Sequence, residues 1–292
     1  MDQQARRSAE QQTPPSAEIA QAYLEQADAL HARREQRIDR HGLARLELVS
    51  AIAWAAFYSL SLLLTWSRGE PSPAAPLAVL ALLLVWLQLA TEKRESYGVR
   101  RAPQRSRRLV ARSFDALAVG LFSVGLVLNM ADVNYPWALC LIPGVLVLVG
   151  PGGTALRDLR ASEALPAEQR PPLTLVARAA TALLGMLIGS AVWAAPHPDQ
   201  VIAALAGLAV MLILAAWFFV RHVVDGAPAL GELWSWPQWL AFALANAAAV
   251  WALLVGAELI PGPANAGLLG GAVACVALVL SASVSRASVQ RP

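Results

Sequence analysis

Apolar residues fall in eight continuous blocks, near 46–66, 74–91, 114–131, 136–150, 173–195, 200–221, 236–257 and 264–285, separated by polar stretches. A hydrocarbon core about 30 Å thick is crossed by about 20 apolar residues of helix, each adding 1.5 Å. The blocks are apolar on all sides and do not alternate every second residue, so they predict helices and not barrel strands. The expected fold class is all-α: a polytopic membrane helix bundle with about eight transmembrane helices. The fourth block is short and carries Pro143-Gly144, which predicts a span ending near residue 150.

The segment ahead of the blocks has a different pattern. Residues 1–15 are polar, Gln-rich and end in Pro14-Pro15, the composition of a disordered tail. Over 16–45, Ile19, Tyr23, Ala27, Leu30 and Ile38 recur at helical spacing, with Glu25, Asp28, Arg33 and Arg34 on other faces. That predicts a cytoplasmic amphipathic helix suited to a protein partner or to the headgroup plane. The first apolar block starts only after about 43 polar residues, so no secretory signal is expected.

Charge supplies the orientation. Of the 23 basic residues, 22 fall in the amino-terminal tail, the 92–114 and 151–178 connections, the sixth-to-seventh connection and the carboxyl tail, leaving Arg68 alone opposite. Basic residues stay on the cytoplasmic side, so both termini are expected there, in the plasma membrane. Trp66, Trp137 and Trp193 are expected at the outer interface, and Trp234, Trp236 and Trp239 at the inner one. The outer turns centre near residues 70, 133, 197 and 261, and each holds an acid and a proline, which suggests tandem two-helix hairpins every 63–64 residues.

Composition narrows the function classes. Hydrophobic residues make up 57% of the chain and charged residues 15%, against roughly 25% charged in a soluble domain. This excludes a soluble enzyme, a nucleic-acid module and a secreted disulfide scaffold. Cys140 and Cys275 lie in separate apolar blocks and form neither a disulfide framework nor a metal motif. The excess of arginine and alanine fits GC-rich bacterial coding. No phosphate-binding, dinucleotide, zinc-protease or serine-hydrolase motif occurs, so neither catalytic nor metal-binding residues nor a cofactor is expected.

Three weak sites remain. Arg105, Arg107 and Arg108 belong to a connection with a net charge of about +5 over residues 92–115, suited to anionic membrane lipids. Gly150-Pro151-Gly152-Gly153-Thr154 reads as a turn opening a helix, where backbone N–H groups, a Thr154 cap and Arg157 with Arg160 would cradle an anion. His222 and Asp225, three residues apart, read as a juxtamembrane pair. Gln88, Asn129 and Asn246 are expected to make interhelical hydrogen bonds, and Gly185/Gly189 with Gly267/Gly270/Gly271 to pack against neighbouring helices. The expected function is a non-enzymatic scaffold, accessory subunit or regulator without nucleic-acid partners. The alternative is a transporter for an apolar or lipid-like substrate with a mid-membrane cavity at Pro143, Gly144 and Asn246.

Overall fold

The computed structural model describes residues 39–66, 74–97, 107–163, 172–197, 199–223 and 228–284, with helical residues at 21–23, 25 and 26. The expected disordered tail, most of the amino-terminal arm and the tail from 286 lie outside the described residues. Met1–Asp39 is one unit; the other, Arg40–Pro292, contains all the spans.

Every described element is a helix: α1 (Arg40–Trp66), α2 (Ala74–Ser96), α3 (Arg107–Met130), α4 (Trp137–Ala161), α5 (Leu175–Ala194), α6 (Gln200–Val223), α7 (Leu230–Leu233), α8 (Trp236–Gly256) and α9 (Ala266–Ser283). All but the short α7 are long and apolar enough to cross a bilayer. The first span is longer than the sequence implies: residues 40–45, read as part of the arm, form its opening turns. The protein is a multi-pass α-helical membrane protein.

Consecutive spans alternate in direction. Trp66 Nε1 donates to Tyr135 O at 3.0 Å at one face of the bundle, the turn face. At the other, terminal face, a ring nitrogen of His41 lies 3.2 Å from Ser162 O, and Gln238 Nε2 donates to Ser281 O at 2.8 Å. α4 lies along α1 and α3, and α9 lies along α5 and α8. α2 sits between these groups, against α1 on one side and α5, α6 and α7 on the other. The main core is aliphatic and alanine-rich and runs through α2, α5, α8 and α9. A smaller core of Ala51, Tyr58, Ala118 and Val147, flanked by Trp54, Phe57 and Phe122, joins α1, α3 and α4.

The fourth span does not end near residue 150 but runs on to Ala161. α4 begins as a 3-10 turn at Trp137–Leu141, continues as α-helix over Ile142–Val147, widens to a π turn at Leu148–Gly152 and returns to α-helix over Gly153–Ala161. A proline inside a helix lacks an N–H and clashes with the carbonyl four residues back; the wider π turn accommodates Pro151 without ending the helix. Pro143 sits in the first turn of the α-helical stretch, where a missing N–H costs little.

Small residues allow close approach, as the sequence implies. A Cβ on Gly189 would lie 2.7 Å from Gly271 O, and one on Gly271 would lie 2.5 Å from Gly189 O, so α5 and α9 touch backbone to backbone.

Two turn-face connections share one geometry. Asp132 (φ 51) and Glu258 (φ 55) adopt the left-handed conformation after α3 and α8. Val133 N–H donates to Leu128 O and Leu259 N–H to Leu254 O, the six-to-one bond of a Schellman cap. A side chain costs about 1–2 kcal/mol in that conformation. Asp132→Gly and Glu258→Gly should therefore each raise thermal stability in detergent, by on the order of 1 kcal/mol. Ala195→Gly, at a right-handed position, should lower it.

Candidate functional site

A buried polar cluster forms at the terminal face, where α2, α6 and α7 meet. Gln88 and Glu92 lie one turn apart on α2, and Gln88 Nε2 donates to Glu92 Oε1 at 2.8 Å. Glu92 is only 3% exposed. Its Oε2 accepts from Gly231 N–H of α7 at 2.7 Å, and its Oε1 lies 3.4 Å from Arg221 Nε of α6. One carboxylate thus ties three helices together. A buried charge is tolerated only when paired and hydrogen-bonded, and Glu92 meets both conditions. Gly231 is required at the contact, because a Cβ there would collide with Leu89 O of α2. The neighbouring Lys93, 4% exposed, places its ammonium 5.1 Å from the Tyr97 ring centre, within cation–π range.

An aromatic layer lies beneath the carboxylate. Trp234 follows α7, is fully buried, and donates from Nε1 to Thr181 Oγ1 of α5 at 3.0 Å. Its ring meets Trp239 at 5.4 Å and Phe242 at 5.8 Å, and Trp86 of α2 meets Trp239 at 5.9 Å. Gln238 accepts from Ser235 N–H and Oγ with one end and donates to Ser281 O of α9 with the other. Trp234 is therefore a core residue, and the partly buried Trp239 packs against the same core. Trp236 is 60% exposed.

A second network closes the turn face. Asn129 Nδ2 donates to Thr65 Oγ1 at 2.7 Å and to Leu62 O at 3.2 Å, the interhelical bond expected of it. Tyr135 O–H donates to Asn129 Oδ1, and Cys140 Sγ lies 3.7 Å from the same hydroxyl. Burial, and then the contact with Cys140, push the Tyr135 phenol up from 10.0 to about 12. The folded state keeps the proton longer than the unfolded chain, so this contribution is complete below pH 10 and is lost as pH rises towards 12. Thermal unfolding in detergent should show that decline, and Tyr135→Phe should reduce it.

The sites inferred from sequence fare differently. Gly152 (φ −62) and Gly153 (φ −63) are ordinary helical residues inside α4, so their N–H groups do not form a turn-borne cradle. Thr154 caps nothing; its hydroxyl donates to Pro151 O at 2.7 Å. Arg157 and Arg160 point outwards, exposed, near the terminal end of α4. Arg105, Asp225 and the side chains of Arg107, Arg108 and His222 lie outside the described residues. At the end of α6 the described ion pair is Arg221 with Glu92.

Asn246 donates to Phe242 O of its own helix and Gln88 to Glu92 of its own, so among the described residues neither makes the expected interhelical bond. Pro143 and Gly144 are buried, and a Cβ on Gly144 would strike Ser59 Oγ and lie 2.8 Å from Ala55 O of α1. The space beside Pro143 and Gly144 is therefore filled by α1.

The Glu92 clamp was missed from sequence because Glu92 and Arg221 look like ordinary charges at span ends. The one local hint is Gly231 between Leu230 and Trp234, a small residue in an otherwise bulky stretch. Among the described residues no group of His, Cys, Asp and Glu is arranged to hold a metal ion. The chain matches no protein-family model, no curated protein and no solved structure.

Proposed function

We propose that the protein is a non-enzymatic scaffold, accessory subunit or regulator of a bacterial cytoplasmic membrane, with both termini inside. The observation that carries this reading is the packing at the proline-glycine stretch of α4, where a transporter site would have been expected: α1 fills the space beside Gly144. The terminal-face cluster supports it as well, since the Glu92 carboxylate is committed to holding α2, α6 and α7 together. The orientation rests on the described lysine and arginine residues, all of which occur at terminal-face helix ends, whereas Asp132, Asp199 and Glu258 occupy the turn face. Anionic lipid at the 92–114 connection and a protein partner on the amino-terminal arm belong to the same reading.

Cysteine accessibility tests it. With Cys140 and Cys275 replaced by serine, Ser59→Cys and Asn246→Cys should resist a membrane-impermeant thiol reagent from either side of sealed vesicles. A cysteine at residue 102 should react from the cytoplasmic side. Labelling of position 59 or 246 would instead support a transporter of apolar or lipid-like substrates, and external labelling of position 102 would reverse the topology.

A further inference from the structure

Two halves of the bundle repeat one another. In α1–α4 the fourth helix lies along the first and third, and the first also packs on the second; in α5, α6, α8 and α9 the same neighbours recur. Helix ends recur in step: α2 and α6 begin at Ala74 and Gln200 and end at Ser96 and Val223, and α3 and α8 end at Met130 and Gly256. The turn geometry agrees, since the left-handed residues Asp132 and Glu258 are 126 residues apart. Each is surrounded by the same three backbone bonds, reaching three, four and five residues back. The α5–α6 turn has a right-handed Ala195 and, among the described residues, no five-back bond. The repeating unit is therefore four helices, twice the hairpin period suggested by the sequence.

We infer that residues 40–161 and 175–283 are two copies of one four-helix unit, and that the α2–α6 seam is the surface by which such a unit binds a second copy of itself. A self-complementary interface places equivalent elements against each other across a two-fold axis, and parallel membrane repeats have that axis along the membrane normal. α2 and α6 are equivalent, run in the same direction and pack together; the pairing is approximate and not an exact two-fold, since α2 also packs on α5 while α6 has no comparable contact with α1. They are also nearly in register. Glu92 meets Arg221, 129 positions on, within one helical turn of the 126-residue repeat. α7 is inserted between α6 and α8 and reinforces the seam through Gly231. The inference is independent of the scaffold reading, because a duplicated unit could serve either function.

The test severs the chain between residues 164 and 171 and co-expresses both pieces with different tags. The pieces should co-purify from the membrane with recovery close to that of the uncut chain, and Glu92→Ala should reduce recovery several-fold. In the intact chain lacking Cys140 and Cys275, single cysteines at 81, 85 and 88 paired with cysteines at 207, 210 and 214 should cross-link, best between positions at the same depth. Pieces that both insert yet stay apart would overturn the inference. If either piece fails to insert, the cross-linking scan decides, and absence of α2–α6 cross-links is then the overturning result.

Discussion

Gly271→Val is expected to be the most damaging single substitution in the bundle. The Cβ position is 2.5 Å from Gly189 O and 3.3 Å from Trp193 N, so the obstruction is backbone, which no rotamer change relieves. α5 and α9 must move apart, and the loss spreads along their shared face, where Gly185 already abuts Cys275 and Leu278. Overpacking a core costs about 1–3 kcal/mol, occasionally more; this site belongs at or above the top of that range. Gly120→Val is the matched control, because a Cβ at Gly120 meets nothing within 4 Å and stability should barely change. Thermal unfolding of both variants in one detergent, followed by size-exclusion chromatography of heated samples, gives the comparison. Equal melting temperatures would show that α5 and α9 are not in contact.

The second large effect is expected at Glu92. Glu92→Ala leaves the Arg221 guanidinium and the Gly231 N–H without their shared acceptor. Removing one partner of a buried ion pair costs about 3–5 kcal/mol. Arg221 is 24% exposed and can turn towards headgroups, so the lower end applies. Glu92→Gln keeps an acceptor for Gly231 and should recover part of the loss. Pairing Glu92→Ala with Arg221→Met should be less harmful than Glu92→Ala alone, because the stranded charge is gone. Proteolysis of the 224–229 connection provides a local readout: cleavage should speed up in Glu92→Ala and slow again in the double variant. Unchanged cleavage in all three would mean that Glu92 does not hold α7.

What the sequence reveals here follows from bilayer physics. A span must be long, apolar and internally hydrogen-bonded, so the eight helices are legible from block length alone, and the glycine pairs of α5 and α9 from their four-residue spacing. Asn129 was legible because an amide in an apolar helix seeks a partner on a neighbouring one. The continuity of α4 was not, since Gly150–Gly153 with Pro151 has the composition of a loop and becomes a π turn only because α1 and Phe114 pack against it. Trp234 follows a short polar stretch and reads as interfacial; docking of α7 carries it inside. The Glu92 contact with Gly231 joins residues 139 positions apart, and no local pattern encodes a pairing of that range.

The indoles of Trp86, Trp239 and Trp234 sit in sequence, 5.9 and 5.4 Å from ring to ring. Chromophores so close and held at fixed angles couple their electronic transitions, so the folded chain should carry an intense near-ultraviolet circular dichroism band. That band reports on the meeting point of α2, α7 and α8 without any added label, and makes this edge-to-face tryptophan trio an optical gauge of whether the bundle's terminal end is closed.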